Sequence, residues 1–298
     1  MKKLSLFLML ILTFSCKIKS QNNTQNTIDY EVVVKELNIP WGFTFLPDNS
    51  ILITEKEGEL IHFKDGKKTI VSGMPEVTLR GQGGLLDIEK HPNFKENNLI
   101  YFTYASSEGE GSGANTTLMS AKFENDKLTN QKVLYKAAPN SRKGQHFGSR
   151  IVFDKENHVY FSIGDRGNRD ENPQDITRDC GKIYRLNDDG TIPNDNPFVD
   201  VDNAKKAIFS YGHRNPQGME INPFTNEIWS HEHGPKGGDE INIVQKGKNY
   251  GWPVISYGVN YSGSKFTEIT EKEGMEQPLH YWTPSIAPSG MAFINSDK

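Results

Sequence analysis

The sequence predicts an all-β propeller that is incomplete at its C-terminal end, and three observations carry that expectation. One template recurs: a small residue, an alternating apolar strand, a turn rich in Pro, Asp or Asn, then a second apolar strand. Period-2 alternation bounded by turn residues is a hairpin signal, and a hairpin that keeps returning suits propeller blades with unequal insertions. No long stretch of helical period interrupts the pattern after the N-terminus, and the last copy of the template breaks off after one strand. A β-sandwich is the alternative, but it has no need of the same hairpin preamble in every repeat.

The first copy runs from Trp41 to Thr54, and the second from Gly84 through Pro92 and on to Leu99–Tyr104. The third spans residues 148–164, the fourth residues 217–231, and the fifth is Pro288-Ser-Gly-Met-Ala-Phe-Ile-Asn295. A ring closes by packing its last blade on its first. A chain ending inside a blade is therefore expected to be a fragment of a longer protein.

At 298 residues and a net charge of -4, one large globular unit is expected over residues 30–298. The near-neutral balance, with no basic stripe, gives no electrostatic case for nucleic acid. The start, Met1-Lys-Lys-Leu-Ser-Leu-Phe-Leu-Met-Leu-Ile-Leu-Thr-Phe-Ser-Cys16, pairs a basic n-region with an apolar run too short to span a bilayer. It reads as an export signal over residues 1–16, with Cys16 placed as in a lipoprotein. Cys16 is then the lipid anchor of an envelope or periplasmic protein, or an incidental cysteine behind an ordinary signal peptide. Residues 17–29, rich in Asn, Gln, Thr and Lys, read as a disordered tether. With Cys16 lipidated, Cys180 is left without a disulfide partner.

The chemistry concentrates in Tyr211-Gly-His-Arg-Asn-Pro-Gln-Gly218, Ser230-His-Glu-His-Gly-Pro-Lys-Gly-Gly-Asp-Glu-Ile-Asn242 and Asn249-Tyr-Gly-Trp-Pro253. Unpaired buried polar groups cost about 1–3 kcal/mol each. So many histidines, carboxylates and amides between short apolar strands therefore point to a site on loops held by rigid strands. His231-Glu-His233 offers two histidines on one strand face, but a tetrahedral zinc site needs further ligands and none is evident. The acid-rich stretch from Gly164 to Asp175 lacks EF-hand spacing and reads as a blade connection bordering the cleft.

Taken in order, Gly81-Gln-Gly-Gly-Leu-Leu86, Gly144-Gln-His-Phe-Gly148, Gly164-Asp-Arg-Gly167, Gly212-His-Arg-Asn-Pro-Gln-Gly218, Gly234-Pro235, Asp239-Glu-Ile-Asn242, Asn249-Tyr-Gly-Trp-Pro253 and Trp282 before Pro284-Ser-Ile-Ala-Pro288 resemble the soluble glucose/sorbosone dehydrogenases. The aldose sugar dehydrogenases are the nearest group in that family, and the resemblance runs from about Ile39 to the C-terminus. It implies a six-bladed propeller that uses pyrroloquinoline quinone (PQQ) and Ca2+ to oxidise aldose sugars at C1 and passes electrons to an external acceptor.

Such a reaction needs a base for the hydroxyl proton, an acceptor for the hydride, and positive charge for the reduced cofactor. By composition, a loop histidine such as His146 is more often a hydrogen-bonded surface residue. The resemblance makes it the base. It likewise implies that Arg214 acts in catalysis and, with Asn215, Gln82 and Trp282, contacts PQQ. The plainer alternatives are a loop-bracing pair, a turn amide and an aromatic packed between blades.

Gly234 and Pro235 match carbonyl ligands of the calcium that also binds PQQ. Glu240, with the backbone of Tyr250, matches part of a second calcium site; otherwise Asp239 and Glu240 simply face solvent. The family's cationic partners for the PQQ carboxylates fall after the Trp282 tract, outside this sequence, so dehydrogenase activity is expected of the completed chain. A calcium-dependent propeller lactonase or hydrolase, and a non-catalytic binding module, are the competing functions. The first requires side-chain carboxylates and amides converging on the axis, a set that is not evident here.

Overall fold

The computed structural model describes residues 30–294, so the signal, the Cys16 anchor and the 17–29 tether lie outside the described residues. The chain divides into a short segment up to Lys35 and a body from Glu36 onward. Among the described residues the body is a propeller-type array of four four-stranded antiparallel sheets, not the six blades the resemblance implies.

The first sheet holds β1 (Pro40–Phe45), β2 (Ile51–Glu55), β3 (Leu60–Lys64) and β4 (Lys67–Ile70). The second holds β5 (Leu85–Lys90), β6 (Leu99–Ser106), β7 (Asn115–Glu124) and β8 (Lys127–Lys136), with a one-turn helix α1 (Phe94–Asn97) between β5 and β6. The third is β9 (Ile151–Phe153), β10 (Val159–Ile163), β11 (Lys182–Leu186) and β12 (Ile208–Tyr211). The fourth is β13 (Pro216–Ile221), β14 (Ile228–Glu232), β15 (Asp239–Val244) and β16 (His280–Trp282). The opening strands β1, β5, β9 and β13 lie side by side in that order, as strands around a propeller axis do.

Each of the first four sequence templates is the opening hairpin of one sheet. The first and fourth even share a Pro-x-Gly bulge, at Pro40/Gly42 and Pro216/Gly218. Sheets pack face to face through three apolar layers. Leu52, Leu85 and Phe102 sit in the first, Tyr101, Phe161 and Tyr184 in the second, and Tyr160, Ile183 and Met219 in the third. Neighbouring residues of one strand thus feed opposite layers, as the strand period demands.

A buried hydroxyl recurs on the second strand of every sheet. Thr54 donates to the Leu86 carbonyl at 2.5 Å, Thr103 to Ser149 at 2.8 Å and Ser162 to Pro216 at 3.0 Å, each bonding the next sheet onward. Ser230, the fourth of the series, turns back to Gly218 of its own sheet at 2.9 Å.

The fifth template does not form a strand among the described residues, and the structure corrects the sequence expectation there. Residues 288–294 instead lie across the fourth sheet, where Phe293 packs edge-on against Trp229 at 5.3 Å and histidines bind the main chain. A lone apolar strand with no ladder to join satisfies its carbonyls this way.

Candidate active site

The loops that enter the opening strands and leave the second strands meet around one cleft of about 570 Å³. Gln82, His146, Arg214 and Pro235 line it, so four of the residues expected from sequence are brought together. Asp165, Arg169, Trp252 and Tyr261 line it as well.

His146 sits in the turn between the second and third sheets, with its backbone in the left-handed region at φ 57. Its N–H donates to the Gln82 side-chain oxygen at 2.7 Å. The Gln82 N–H in turn reaches the Gly144 carbonyl at 2.7 Å. Gly81 permits this approach, because a Cβ there would run into that carbonyl.

The ring Nδ1 of His146 lies 2.7 Å from Asp165 Oδ1. Asp165 is 1 % exposed, and it also accepts from the Trp252 indole at 2.8 Å and the Gly167 N–H at 2.6 Å. Burial works against its ionisation, but the hydrogen bond and charge of His146, with help from Arg214 and Gly167, hold its carboxyl below the usual range.

Arg214 is buried and tightly placed. Its N–H donates to Glu232 at 2.5 Å, its Nη1 donates to the His233 carbonyl at 2.8 Å, and its guanidinium lies 5.3 Å from the Trp252 ring centre. Its Nε is buried with no partner among the described residues. A planar anionic group in the cleft would complete that donor set, so the residues present fit a carboxylate-bearing aromatic cofactor. Asn215 is 1 % exposed and lies beneath the lining, its side-chain oxygen taken by the Gly148 N–H at 3.1 Å.

Trp282 is not brought to the cleft. It lies on β16 opposite Asp239, with His280 edge-on at 4.6 Å, and Trp252 supplies the aromatic wall instead. Asp239, which the plainer reading leaves in solvent, is 1 % exposed and accepts from the N–H groups of Gly234, Ile286 and Ala287 and from the Ser285 hydroxyl. That carboxylate pins the Gly234–Pro235 turn to the segment after Trp282.

Glu240 pairs across the strands with Glu232. Burial and then the charge of Glu232 push its carboxyl up to about 8. Beside it the Asn242 Oδ1 is buried without a partner among the described residues. Excess negative charge next to an orphaned oxygen is the donor set a hard divalent cation satisfies. Tyr250 stacks on His213 at 4.6 Å and donates from its hydroxyl to Ile243. His231 and His233 point their Nε2 atoms at the carbonyls of Ser289 and Pro288, at 2.9 and 2.6 Å, and among the described residues they belong to no cluster of metal-ligating side chains.

Sequence reasoning gives Asp165 no role, although Gly164-Asp-Arg-Gly167 follows directly on a strand buried throughout. An acid at the exit of such a strand is the signal that could have found it.

A family model of glucose/sorbosone dehydrogenases matches residues 37–298. The chain is 45% identical over 279 residues to aldose sugar dehydrogenase YliI of Escherichia coli, covering 91% of this chain and 75% of that protein. It is 32% identical to quinoprotein glucose dehydrogenase B of Acinetobacter calcoaceticus, covering 85% of this chain and 57% of that one. The crystal structure of the soluble E. coli aldose sugar dehydrogenase in its apo form superposes with a TM-score of 0.87 at 44% identity, over 90% of this chain and 79% of the other. The PQQ-bound aldose sugar dehydrogenase of Streptomyces coelicolor gives 0.73 at 27% identity, over 88% and 74%. The chain belongs to the glucose/sorbosone dehydrogenase family, and it is an enzyme of the sugar dehydrogenase type.

Proposed function

We propose that this protein oxidises aldose sugars at C1 to lactones in a PQQ- and calcium-dependent reaction, with electrons leaving to an external acceptor. One observation carries the reading: a histidine held by a buried, ionised aspartate shares a cleft with an arginine whose Nε has no partner among the described residues.

With Nδ1 donating to Asp165, His146 keeps Nε2 as the lone-pair nitrogen that takes the C1 hydroxyl proton. Asp165 then faces the imidazolium it helps to form. PQQ, when bound, supplies the electrophile that takes up the hydride. Arg214 holds positive charge at the cleft wall, where it offsets the negative charge that develops in the reaction. Gln82 spends its oxygen on the His146 N–H and offers its amide nitrogen to a sugar hydroxyl. Asn215 supports the site from beneath, by tying the start of the third sheet. Carbonyls of Gly234 and Pro235 would hold the calcium shared with PQQ, and Glu240 with the Tyr250 backbone a second calcium.

We also infer a six-bladed ring in the completed protein, two of its sheets being formed by residues other than 30–294. Support comes from Phe43 and Phe45 on β1, 59% and 56% exposed, which present an apolar face that another sheet would cover. The export reading, with Cys16 as a lipid anchor in the cell envelope, rests on the N-terminal sequence. A membrane fraction holding only protein with an intact Met1 contradicts it.

The deciding experiment is reconstitution of the completed protein with PQQ and Ca2+, followed by dye reduction with several aldoses. Sugar-dependent reduction that needs both additions is expected. Turnover of comparable size without PQQ removes the proposal.

A further inference from the structure

We propose that Arg166 is a positioning residue that fixes the backbone of the loop carrying His146. The inference rests on the reading of His146 as the base. A left-handed backbone costs a non-glycine residue roughly 1–2 kcal/mol, so a loop with His146 at φ 57 keeps that shape only under restraint.

Arg166 supplies the restraint from behind the cleft. It is 1 % exposed and is among the largest fully buried side chains. Its Nη1 donates to the Gln145 carbonyl, and its Nη2 donates to the carbonyls of Lys143 at 2.9 Å and Ala114 at 3.2 Å. The guanidinium carbon lies 3.4 Å from the centre of the Phe147 ring. Residues 143, 145 and 147 bracket His146 in the chain, so the fork holds the loop on both sides of the base.

Ala114 anchors the other end. It precedes β7, and with Leu86, Ala105 and Phe147 it forms a small apolar core under the loop. The guanidinium therefore joins the His146 loop to the second sheet. Its chain neighbour Asp165 holds the His146 ring, so one dipeptide controls both backbone and imidazole.

Burial draws the Arg166 pKa down to about 10, which still leaves the group charged at neutral pH. A lysine keeps that charge but is a point donor and cannot span three carbonyls with a planar fork. Misplacing a reacting group by about 1 Å can cost about a hundredfold in rate, and an effect of up to that size is expected here.

The test compares the wild-type chain with Arg166→Lys by two independent readouts. In the cofactor-free protein, amide hydrogen exchange over residues 144–148 is expected to rise by about tenfold or more in the variant, while exchange in β10 and β11 stays as in wild type. After reconstitution with titrated PQQ and Ca2+, kcat is expected to fall by about ten- to a hundredfold with the sugar KM little changed. A variant that melts earlier yet keeps wild-type loop exchange and wild-type kcat per folded molecule has lost only packing, and the proposal falls.

Should Arg166→Lys fail to fold, Phe147→Leu removes the ring and leaves the carbonyl bonds. A smaller rise in the same amides is then expected, and unchanged exchange overturns the proposal. If the completed wild-type protein oxidises no sugar, the oxidation reading fails by itself, while the exchange measurement still decides what Arg166 does.

Discussion

Arg214 lies between two buried acids, Asp165 and Glu232, whose surroundings differ. Asp165 donates its backbone N–H to the Arg214 carbonyl, and Glu232 accepts the Arg214 N–H. On the Asp165 side every demand of the buried charge is met by the chain itself: His146, the Trp252 indole and the Gly167 N–H converge on one carboxylate. Its carboxyl is accordingly pulled down. On the other side Glu232 is met by His213 and the Arg214 and Asn215 N–H groups, but a second acid, Glu240, faces it across the strands, the Glu240 carboxyl is pushed up, and Asn242 Oδ1 has no partner among the described residues. The difference separates an acid whose partners draw its carboxyl down from one, Glu240, whose burial and acidic neighbour push it up, the side on which the proposed calcium would act.

The sharpest way to break that comparison is to remove the proposed base, His146. General-base catalysis is worth roughly 10²–10⁴-fold. His146→Ala in the reconstituted protein is therefore expected to lose about that much kcat while PQQ remains bound. Unchanged turnover would show that the pair with Asp165 is structural only. Asp165→Asn probes the other half of the pair. It frees the ring to adopt the wrong tautomer, and a kcat loss of about ten- to a hundredfold is expected, by analogy with outer partners of ligating imidazoles.

Asp165→Asn also carries a pH signature. A carboxyl whose folded pKa is lowered adds stability above its unfolded value of about 3.9, and that stability is lost as pH falls through the folded pKa. The variant should therefore lose less stability than wild type on acidification below about pH 4. Denaturant midpoints measured down the acid limb check this.

These contrasts show what the sequence could and could not reveal. Opening hairpins were legible because alternation is a local property, and each of the first four templates became β1–β2, β5–β6, β9–β10 or β13–β14. Gln82, His146, Arg214 and Pro235 were legible through motif order, and the fold gathers them in one cleft. Asp165 escaped because a charge-rich loop looks solvated in sequence, and only the approach of His146 and Trp252 buries it. Trp282 and Trp252 could not be told apart, since chain order does not say how residues 245–279 fold back over the cleft. The Thr54, Thr103 and Ser162 bonds between sheets were equally hidden, because each joins a strand to a different blade.

The Glu232–Glu240 side gives the next test. Glu240 titrates from a raised folded value of about 8, while an unfolded glutamate titrates near 4.3. The folded state then binds more protons between those values, so stability of the cation-free protein falls as pH rises through that window. Glu232 and Asp239 add to the negative field, and Asn242 donates to Glu240 from its amide at 3.3 Å. A bound cation replaces the missing proton, so the gain in melting temperature on adding Ca2+ should be larger at pH 8 than at pH 6. An equal gain at both values would place the cation elsewhere.

The smallest expected effect is the most specific. Glu240→Gln keeps the shape of the side chain and removes the charge that burial and Glu232 oppose. In chelator at pH 8 the variant should melt a few degrees above wild type, since roughly 1 kcal/mol moves the midpoint of a protein of about 150–250 residues by about 2–4 °C. With Ca2+ the order should reverse, because wild type alone keeps the carboxylate that a hard cation prefers. A single substitution would then stabilise the protein without metal and destabilise it with metal. Packing changes alone do not produce that inversion, because a cavity or clash acts with the same sign in both conditions. A variant that melts below wild type in chelator as well as in Ca2+ would mean that Glu240 holds the fourth sheet through its bond with Asn242, and the contrast with Asp165 would disappear.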